Sequence, residues 1–423
     1  MYRVVVTGIG AVSPIGNSFL ESWNAAKAGI SGIDRIRRFD ASPLPWKVAG
    51  ELKQFDAEQY LSRKEIHRLD PFVHYAVAAA VMAANDAGLI RQDPGLRVQH
   101  SEKHMRPELL SSAGVIIGSS RGGISTIEKA FSADHQASNV KRHVSPYLMP
   151  ATTISMASSY VGQTLGIKGY CLGISSACAS GTSAIGEAYR LIKSGYKNPV
   201  LCGGAEAPIC RIGIEGYGIS GALSKGNNPS ASRPFDRTRD GFVLSEGACI
   251  LVLEEYESAV QKGIEIYGEI IGYGNTMDAF HQTRPSAEGE ARAMATAIGD
   301  AGLQQEDIGF ISAHGTSTPL GDKAETGAIK TILGKHAYRV PITSAKSSTG
   351  HMLAASGSLE AAFTLVGMKE GLIPPTLHLK EKDPECDLDY VTELRRAEIE
   401  YAMSNSFGFG GVNAVLLFRR YEA

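Results

Sequence analysis

Cysteine is scarce in this chain: six among 423 residues, at 171, 178, 202, 210, 249 and 386. None of them forms a Cys-x-x-Cys pair. That is too few for a disulfide framework, and it points to a reducing, cytoplasmic compartment. Long apolar runs are missing as well, since no stretch approaches the ~18 apolar residues that a membrane span requires. The N-terminus, Met1-Tyr2-Arg3-Val4-Val5-Val6-Thr7-Gly8, is apolar but too short and glycine-broken to be a signal peptide. Neither sign of charge is in excess: 42 Lys+Arg against 44 Asp+Glu leave a net charge of −2. That balance gives no global pull toward nucleic acid or an anionic membrane, so an acidic partner must be met by a local basic patch.

What the chain has is length and an ordinary globular composition, 43% hydrophobic and 20% charged, enough for a large core beyond one compact domain. Strand-like runs alternate with helical ones. Arg3–Thr7 reads as a buried strand running into a Gly8-Ile9-Gly10 turn, which lacks the third glycine and distal acid of a dinucleotide site. Helices are expected over Ser18–Ala28 and over alanine-rich Tyr75–Ala87, with an irregular Asp34–Lys53 between them. Ser62–Arg68 reads as a basic helical turn, and Arg91–Ser112 as a polar excursion. Further strands are expected at Ala113–Gly118, Pro199–Gly204, Ala248–Glu254, Ile264–Tyr273, Ile308–Ser312 and Val340–Ser344. Helices fall at Glu288–Ala301 and Ser358–Gly371. The alternation argues a mostly parallel α/β architecture, and the order of events repeats in outline after residue 264 without enough identity to prove a repeat.

The chain is organised around Ile174-Ser175-Ser176-Ala177-Cys178-Ala179-Ser180-Gly181. A short strand precedes it, and a helix follows whose Ala184, Ile185, Ala188, Leu191 and Ile192 share one face until Gly195. Cys178 is thereby placed near a helix N-terminus, where free N–H groups and the dipole lower a cysteine from its usual ~8.5 by one to several units. On this stretch alone a reactive thiol and a small buried residue remain equal readings.

Three later stretches carry chemistry. Ala313-His314-Gly315-Thr316-Ser317-Thr318 and Lys346-Ser347-Ser348-Thr349-Gly350-His351 each follow a strand, the edge where α/β proteins bind ligands. Asn405–Asn413 is glycine-dense, so its amides can approach a ligand closely. Zinc does not suit the set: Cys178, His314 and His351 match no ligand spacing, and Lys346 would oppose a cation. A cysteine hydrolase needs one histidine and an orienting carboxylate or amide, and here a second histidine and a lysine stand in excess. The combination suits a site that stabilises negative charge on an acyl group while CO₂ departs.

Together, Ser176–Gly181, Ala313–Thr318, Lys346–His351 and Asn405–Gly411 resemble the β-ketoacyl-acyl carrier protein synthases, closest to the elongating type II class. The resemblance runs from Val4 to Leu416 with the motifs in the family's order. It implies a thiolase-like α/β fold, two similar halves (1–260 with the nucleophile, 261–423 with the histidines and lysine) in a five-layered α-β-α-β-α core. It also implies a cytoplasmic homodimer with an acyl carrier protein as partner, no nucleic acid or membrane, no metal, and no cofactor beyond the phosphopantetheine on that carrier. The implied reaction is a decarboxylative condensation of malonyl-acyl carrier protein with an acyl group held on Cys178. A pathway-specific polyketide ketosynthase is the alternative; a non-catalytic chain-length partner is disfavoured because Cys178, His314 and His351 are all present.

By the same resemblance, His314 and His351 donate to the malonyl thioester oxygen, and Lys346 supplies positive field with Glu325 or Glu360. The amides of Cys178 and Phe409 form an oxyanion hole, Phe409 is a gate, and Arg121, Tyr217 and Phe409 line the acyl pocket. Met352-Leu353-Ala354-Ala355-Ser356-Gly357 departs slightly from the family's pattern. Arg121 departs more, because relatives carry an apolar residue there. The sequence leaves two readings of it: turned outward or paired across a dimer, or placed to make the pocket shorter or receptive to a polar chain end. Lys64, Arg68 and Arg142 are the candidates for docking an acidic carrier.

Overall fold

A computed structural model describes residues 1–90, 107–132 and 145–422. Ten strands build its main sheet. The first five are β1 Val4–Val12, β2 Gly114–Gly118, β3 Cys171–Ile174, β4 Val200–Glu206 and β5 Gly247–Glu255. The second five are β6 Gly268–Met277, β7 Phe310–Ser312, β8 Ile342–Thr343, β9 Tyr401–Gly408 and β10 Val412–Arg419. Among the described residues, the helices of ten or more residues are α1 Pro71–Asp86, α2 Met156–Leu165, α3 Ser180–Lys193, α4 Ala287–Ala301, α5 Pro319–Leu333 and α6 Ser356–Glu370.

Pairing shows the repeat that residue identity could not. The first half runs β1-β5-β4-β2-β3 and the second β6-β10-β9-β7-β8, so each strand matches the one five places later. The senses match too. β2 is parallel to β3 and β4, and β4 and β1 are antiparallel to β5. β7 is parallel to β8 and β9, and β9 and β6 are antiparallel to β10. A short antiparallel pairing of Val4–Val6 with Gly268–Ile270 joins the halves. The sheet is therefore mixed, which corrects the mostly parallel expectation: the hairpin β9–β10 and the return of β5 alongside β1 supply antiparallel pairs that the α/β alternation concealed.

Helices α3 and α6 lie between the two half-sheets, while α1 and α2 cover one outer face and α4 and α5 the other. This is the five-layered arrangement. The middle layer has an apolar core: Ile185, Ala188 and Ile192 of α3 and Leu359, Ala362 and Leu365 of α6 pack in one cluster with Val6, Leu251 and Leu416. Gly8 and Gly10 are not a turn. They sit inside β1, where a Cβ would lie 2.4 Å from the Ala83 carbonyl oxygen and 2.1 Å from that of Ala79 on α1. Gly272 and Gly274 of β6 meet Ala297 and Ala293 of α4 in the same way, at 2.4 and 2.0 Å. Removing the β-carbon lets an alanine-rich helix lie directly on the strand, once in each half. Among the described residues no helix is long and apolar enough to cross a membrane.

Candidate active site

A cavity of about 330 Å³ opens between the halves, and Cys178, His314, His351 and Phe409 all line it. Tyr217, Phe242, Glu325, Thr316 and Thr318 contribute to the same wall.

Cys178 stands on a sharp turn from β3 into α3. Ala177 adopts a positive φ of 50°, a left-handed conformation that costs a non-glycine residue about 1–2 kcal/mol. The strain is held by Ser180, whose Oγ accepts the Ser176 N–H at 2.9 Å and donates to the Ala177 carbonyl at 2.6 Å. Burial pushes the Cys178 thiol up to about 11, against the pull of Lys346 and a hydrogen bond from the Phe409 N–H. This corrects the expected lowering: desolvation outweighs the cationic neighbours, so the resting group is a thiol.

His314 follows β7, its loop clamped by one carboxylate. Glu325 on α5 accepts the N–H groups of His314 and Gly315, each at 2.8 Å, and the Asn405 amide at 3.0 Å. His351 precedes α6 and is bridged to Leu244 of the turn-rich stretch: its N–H donates to the Val243 carbonyl at 2.8 Å and its carbonyl accepts the Ser245 N–H at 3.0 Å. The two imidazoles meet edge to face with centroids 5.4 Å apart. Burial and the charge of Lys346 hold both well below the usual histidine range, so both are neutral.

Ser356 anchors the ring: its Oγ accepts the Met352 N–H at 2.9 Å and lies 3.1 Å from His351 Nδ1, within hydrogen-bond reach.

Lys346 does not line the cavity. It is 1% exposed behind the wall, with Nζ 2.6 Å from Glu360 Oε1. Of the two carboxylates expected beside it, Glu360 is the direct partner and Glu325 holds the His314 loop. Phe409 lies in the β9–β10 hairpin, its ring 6.2 Å from that of Tyr217. Gly408 lets this hairpin close on the Cys178 turn, since a Cβ there would lie 2.9 Å from Ser176 O and 3.2 Å from Cys178 N.

Arg121, expected in the acyl-pocket wall, is exposed and does not line the cavity; its Nε donates at 2.8 Å to the hydroxyl of Tyr217, which does line it. Lys64 is exposed, whereas Arg68 is half-buried with its guanidinium 4.3 Å over the Tyr147 ring. Arg142 and most of the 91–112 excursion lie outside the described residues.

Sequence reasoning missed Ser356 and Glu206. The signal for Ser356 was its place as the fifth residue of Met352–Gly357, the stretch that departs from the family's run. Glu206 ends β4 and gathers the Ser119 hydroxyl and the N–H groups of Ser120 and Arg121 at 2.7–3.0 Å. Among the described residues no group of three or more His, Cys, Asp or Glu is placed to hold a metal ion.

Residues 1–259 match the family model described as "Beta-ketoacyl synthase, N-terminal domain", and residues 267–380 match "Beta-ketoacyl synthase, C-terminal domain". A relative from Synechocystis sp., "3-oxoacyl-[acyl-carrier-protein] synthase 2", is 45% identical over 99% of this chain and 98% of its own. The structure titled "The ishigamide ketosynthase/chain length factor" superposes with a TM-score of 0.90 at 34% identity, covering 100% of both chains. A ketosynthase bound to the hexaketide, in complex with its type II PKS acyl-carrier protein, gives 0.87 at 31% identity, over 99% of this chain and 100% of that one.

Proposed function

The chain belongs to the β-ketoacyl synthase family, and from that premise we propose how its residues divide the work. The reaction is the decarboxylative Claisen condensation of malonyl-acyl carrier protein with an enzyme-bound acyl thioester, giving 3-oxoacyl-acyl carrier protein in fatty acid elongation. The observation that supports our assignment of roles is the convergence of Cys178, His314 and His351 on one cavity, with Lys346 buried behind them.

In the first half-reaction Cys178 Sγ attacks the acyl thioester of the loaded carrier. The S–H proton leaves toward a neutral imidazole, the carrier C–S bond breaks, and the proton ends on the pantetheine thiol. The N–H groups of Cys178 and Phe409 stabilise the oxyanion. Because the resting thiol lies near 11, deprotonation accompanies attack rather than preceding it.

In the second half-reaction malonyl-carrier protein occupies the cavity. Its carboxylate departs as CO₂, leaving the electron pair as an enolate. His314 and His351 donate to the thioester oxygen on which that charge develops, each worth about 3 kcal/mol of barrier. The carbanion then attacks the Cys178 thioester, and Sγ is released. Lys346 adds a fixed positive field and keeps both imidazoles neutral, hence able to donate without delivering a full charge. The Thr316 and Thr318 hydroxyls on the cavity wall are suited to the amides of the pantetheine arm, which belongs to the carrier and not to this chain.

We further take the protein as a cytoplasmic homodimer. β3 is a sheet edge, and Leu172 on it is exposed. Lys64 and Arg68 are the docking cations for the acidic carrier, and their contribution should weaken with salt. The test is mass spectrometry of the protein after incubation with loaded carriers. An acyl adduct on Cys178 that disappears in Cys178→Ala, together with loss of condensation, is expected. A Cys178→Ala protein that still joins malonyl and acyl units overturns the assignment.

A further inference from the structure

Phe409 stands at the tip of the β9–β10 hairpin, and the segment after β6 ties that tip down by three hydrogen bonds. The Asp278 N–H donates to the Gly411 carbonyl at 2.8 Å, and the Gly410 N–H donates to the Gln282 carbonyl at 2.7 Å. Asn413 Nδ2 donates to Asp278 Oδ1 at 2.6 Å. The fit leaves no slack. A Cβ on Gly411 would lie 2.7 Å from Asp278 Cβ, and one on Gly289 would lie 1.8 Å from Asp278 Oδ1. Gly289 belongs to the first turn of α4, so the latch rests on that helix.

The next residue of α4 is a carboxylic acid that the condensation does not use. Glu290 is 1% exposed and lines the cavity, and among the described residues its Oε2 has no hydrogen-bond partner. The charges that act on it are all of its own sign: Glu325 and Asp322 on α5, and Asp278. Each of those three has donors. Glu325 holds the His314 loop, Asp322 pairs with Arg239 and accepts the Phe235 and Ser317 N–H groups, and Asp278 has Asn413. On the rest of the cavity wall Cys178, Tyr217, His314 and His351 are uncharged, and Arg284 is exposed. Burial and the three carboxylates hold Glu290 well above the usual carboxylate range, so it keeps its proton.

We propose that Glu290 is a positioning residue for the gate: packed beside Asp278, it sets how readily the Phe409 hairpin leaves Cys178. The proposal rests on the reading of Phe409 as the gate and adds to it a residue and a proton. While the latch is closed, the Glu290 proton is trapped. When the hairpin lifts, water reaches the carboxyl, which then ionises at its ordinary value of about 4.3. Opening is thereby linked to the loss of one proton and becomes easier as pH rises, until the closed form ionises as well. Glu290 forms no bond with substrate.

The experiment follows hydrogen exchange of peptides spanning 405–413 by mass spectrometry in the wild type and in Glu290→Gln, which keeps the shape and cannot ionise. A ratio of the two proteins at one pH cancels the intrinsic pH dependence of exchange. The wild-type rate relative to the variant should rise by up to about tenfold per pH unit between about pH 5 and about pH 8. Acyl adduct formation at Cys178, measured in parallel, should follow the same ratio. A ratio flat with pH overturns the proposal, because a merely structural glutamate would shift the rate by a constant factor. Exchange that rises without faster loading keeps the latch and overturns the reading of Phe409 as gate. Where Glu290→Gln does not fold, Asp278→Asn tests the same link, since its amide oxygen can still accept from Asn413. With one charge fewer beside Glu290, the rise should level off at lower pH than in the wild type; an unchanged profile overturns the proposal.

Discussion

The two halves share one scaffold and put it to different uses. The loop after β2 and the loop after β7 occupy equivalent places, and a buried carboxylate clamps each by consecutive backbone N–H groups: Glu206 at Ser120 and Arg121, Glu325 at His314 and Gly315. What the clamp presents differs. In the first half it is an exposed arginine, and in the second a buried neutral imidazole on the cavity wall. The turns after β3 and β8 diverge likewise, one giving Cys178 at the head of α3, the other Lys346 and His351 ahead of α6. The backbone of the repeat therefore fixes where side chains converge, while burial and neighbouring charge decide what each can do.

The sharpest way to break this comparison is to remove an imidazole from the second half alone. His314→Ala should lower malonyl decarboxylation by about 10²–10³-fold while acyl adduct formation at Cys178 persists; equal loss of both would mean the halves do not divide the two steps. Titrating the first half comes next. With a thiol near 11, the thiolate fraction rises with pH throughout the neutral range. Alkylation of Cys178 by iodoacetamide should therefore accelerate about tenfold per pH unit from about pH 6 to about pH 9. A plateau below pH 8 would show that the helix terminus has won over burial.

The clamps can be compared directly. Glu325→Gln keeps the shape but turns an N–H donor toward a backbone N–H, and should cost decarboxylation about tenfold. Glu206→Gln should instead alter which acyl chains load, measured by the same adduct assay. The smallest effect is expected where the halves touch. Gly408→Ala forces the β9–β10 hairpin off the Cys178 turn and should cost about 1–3 kcal/mol, seen as a lower unfolding temperature with slower acyl loading.

Much of the site was legible because its residues come in short local runs. Cys178 with its small neighbours, the His314 loop, Lys346 with His351, and the glycine hairpin each announced themselves by composition next to a strand. The repeat was half legible: Gly8 and Gly10 in β1 and Gly272 and Gly274 in β6 each meet alanines on a helix, yet a Gly-x-Gly read alone looks like a turn. The mixed pairing of the sheet was hidden because strand direction is set by which neighbours close the hydrogen-bond ladder, not by the strand's own letters.

The chain's letters by themselves determined the alternating elements, the small-residue turn that bears the thiol, and the identities of the groups able to donate, accept or attack. Only the tertiary structure decided their chemical state. Packing between the half-sheets strips water from Cys178, His314 and His351, raising the thiol and lowering both imidazoles. It also brought Arg121 to Tyr217 and Lys346 to Glu360, contacts spanning 96 and 14 positions. Desolvation and pairing depend on what surrounds a group in space, which no local stretch of sequence encodes.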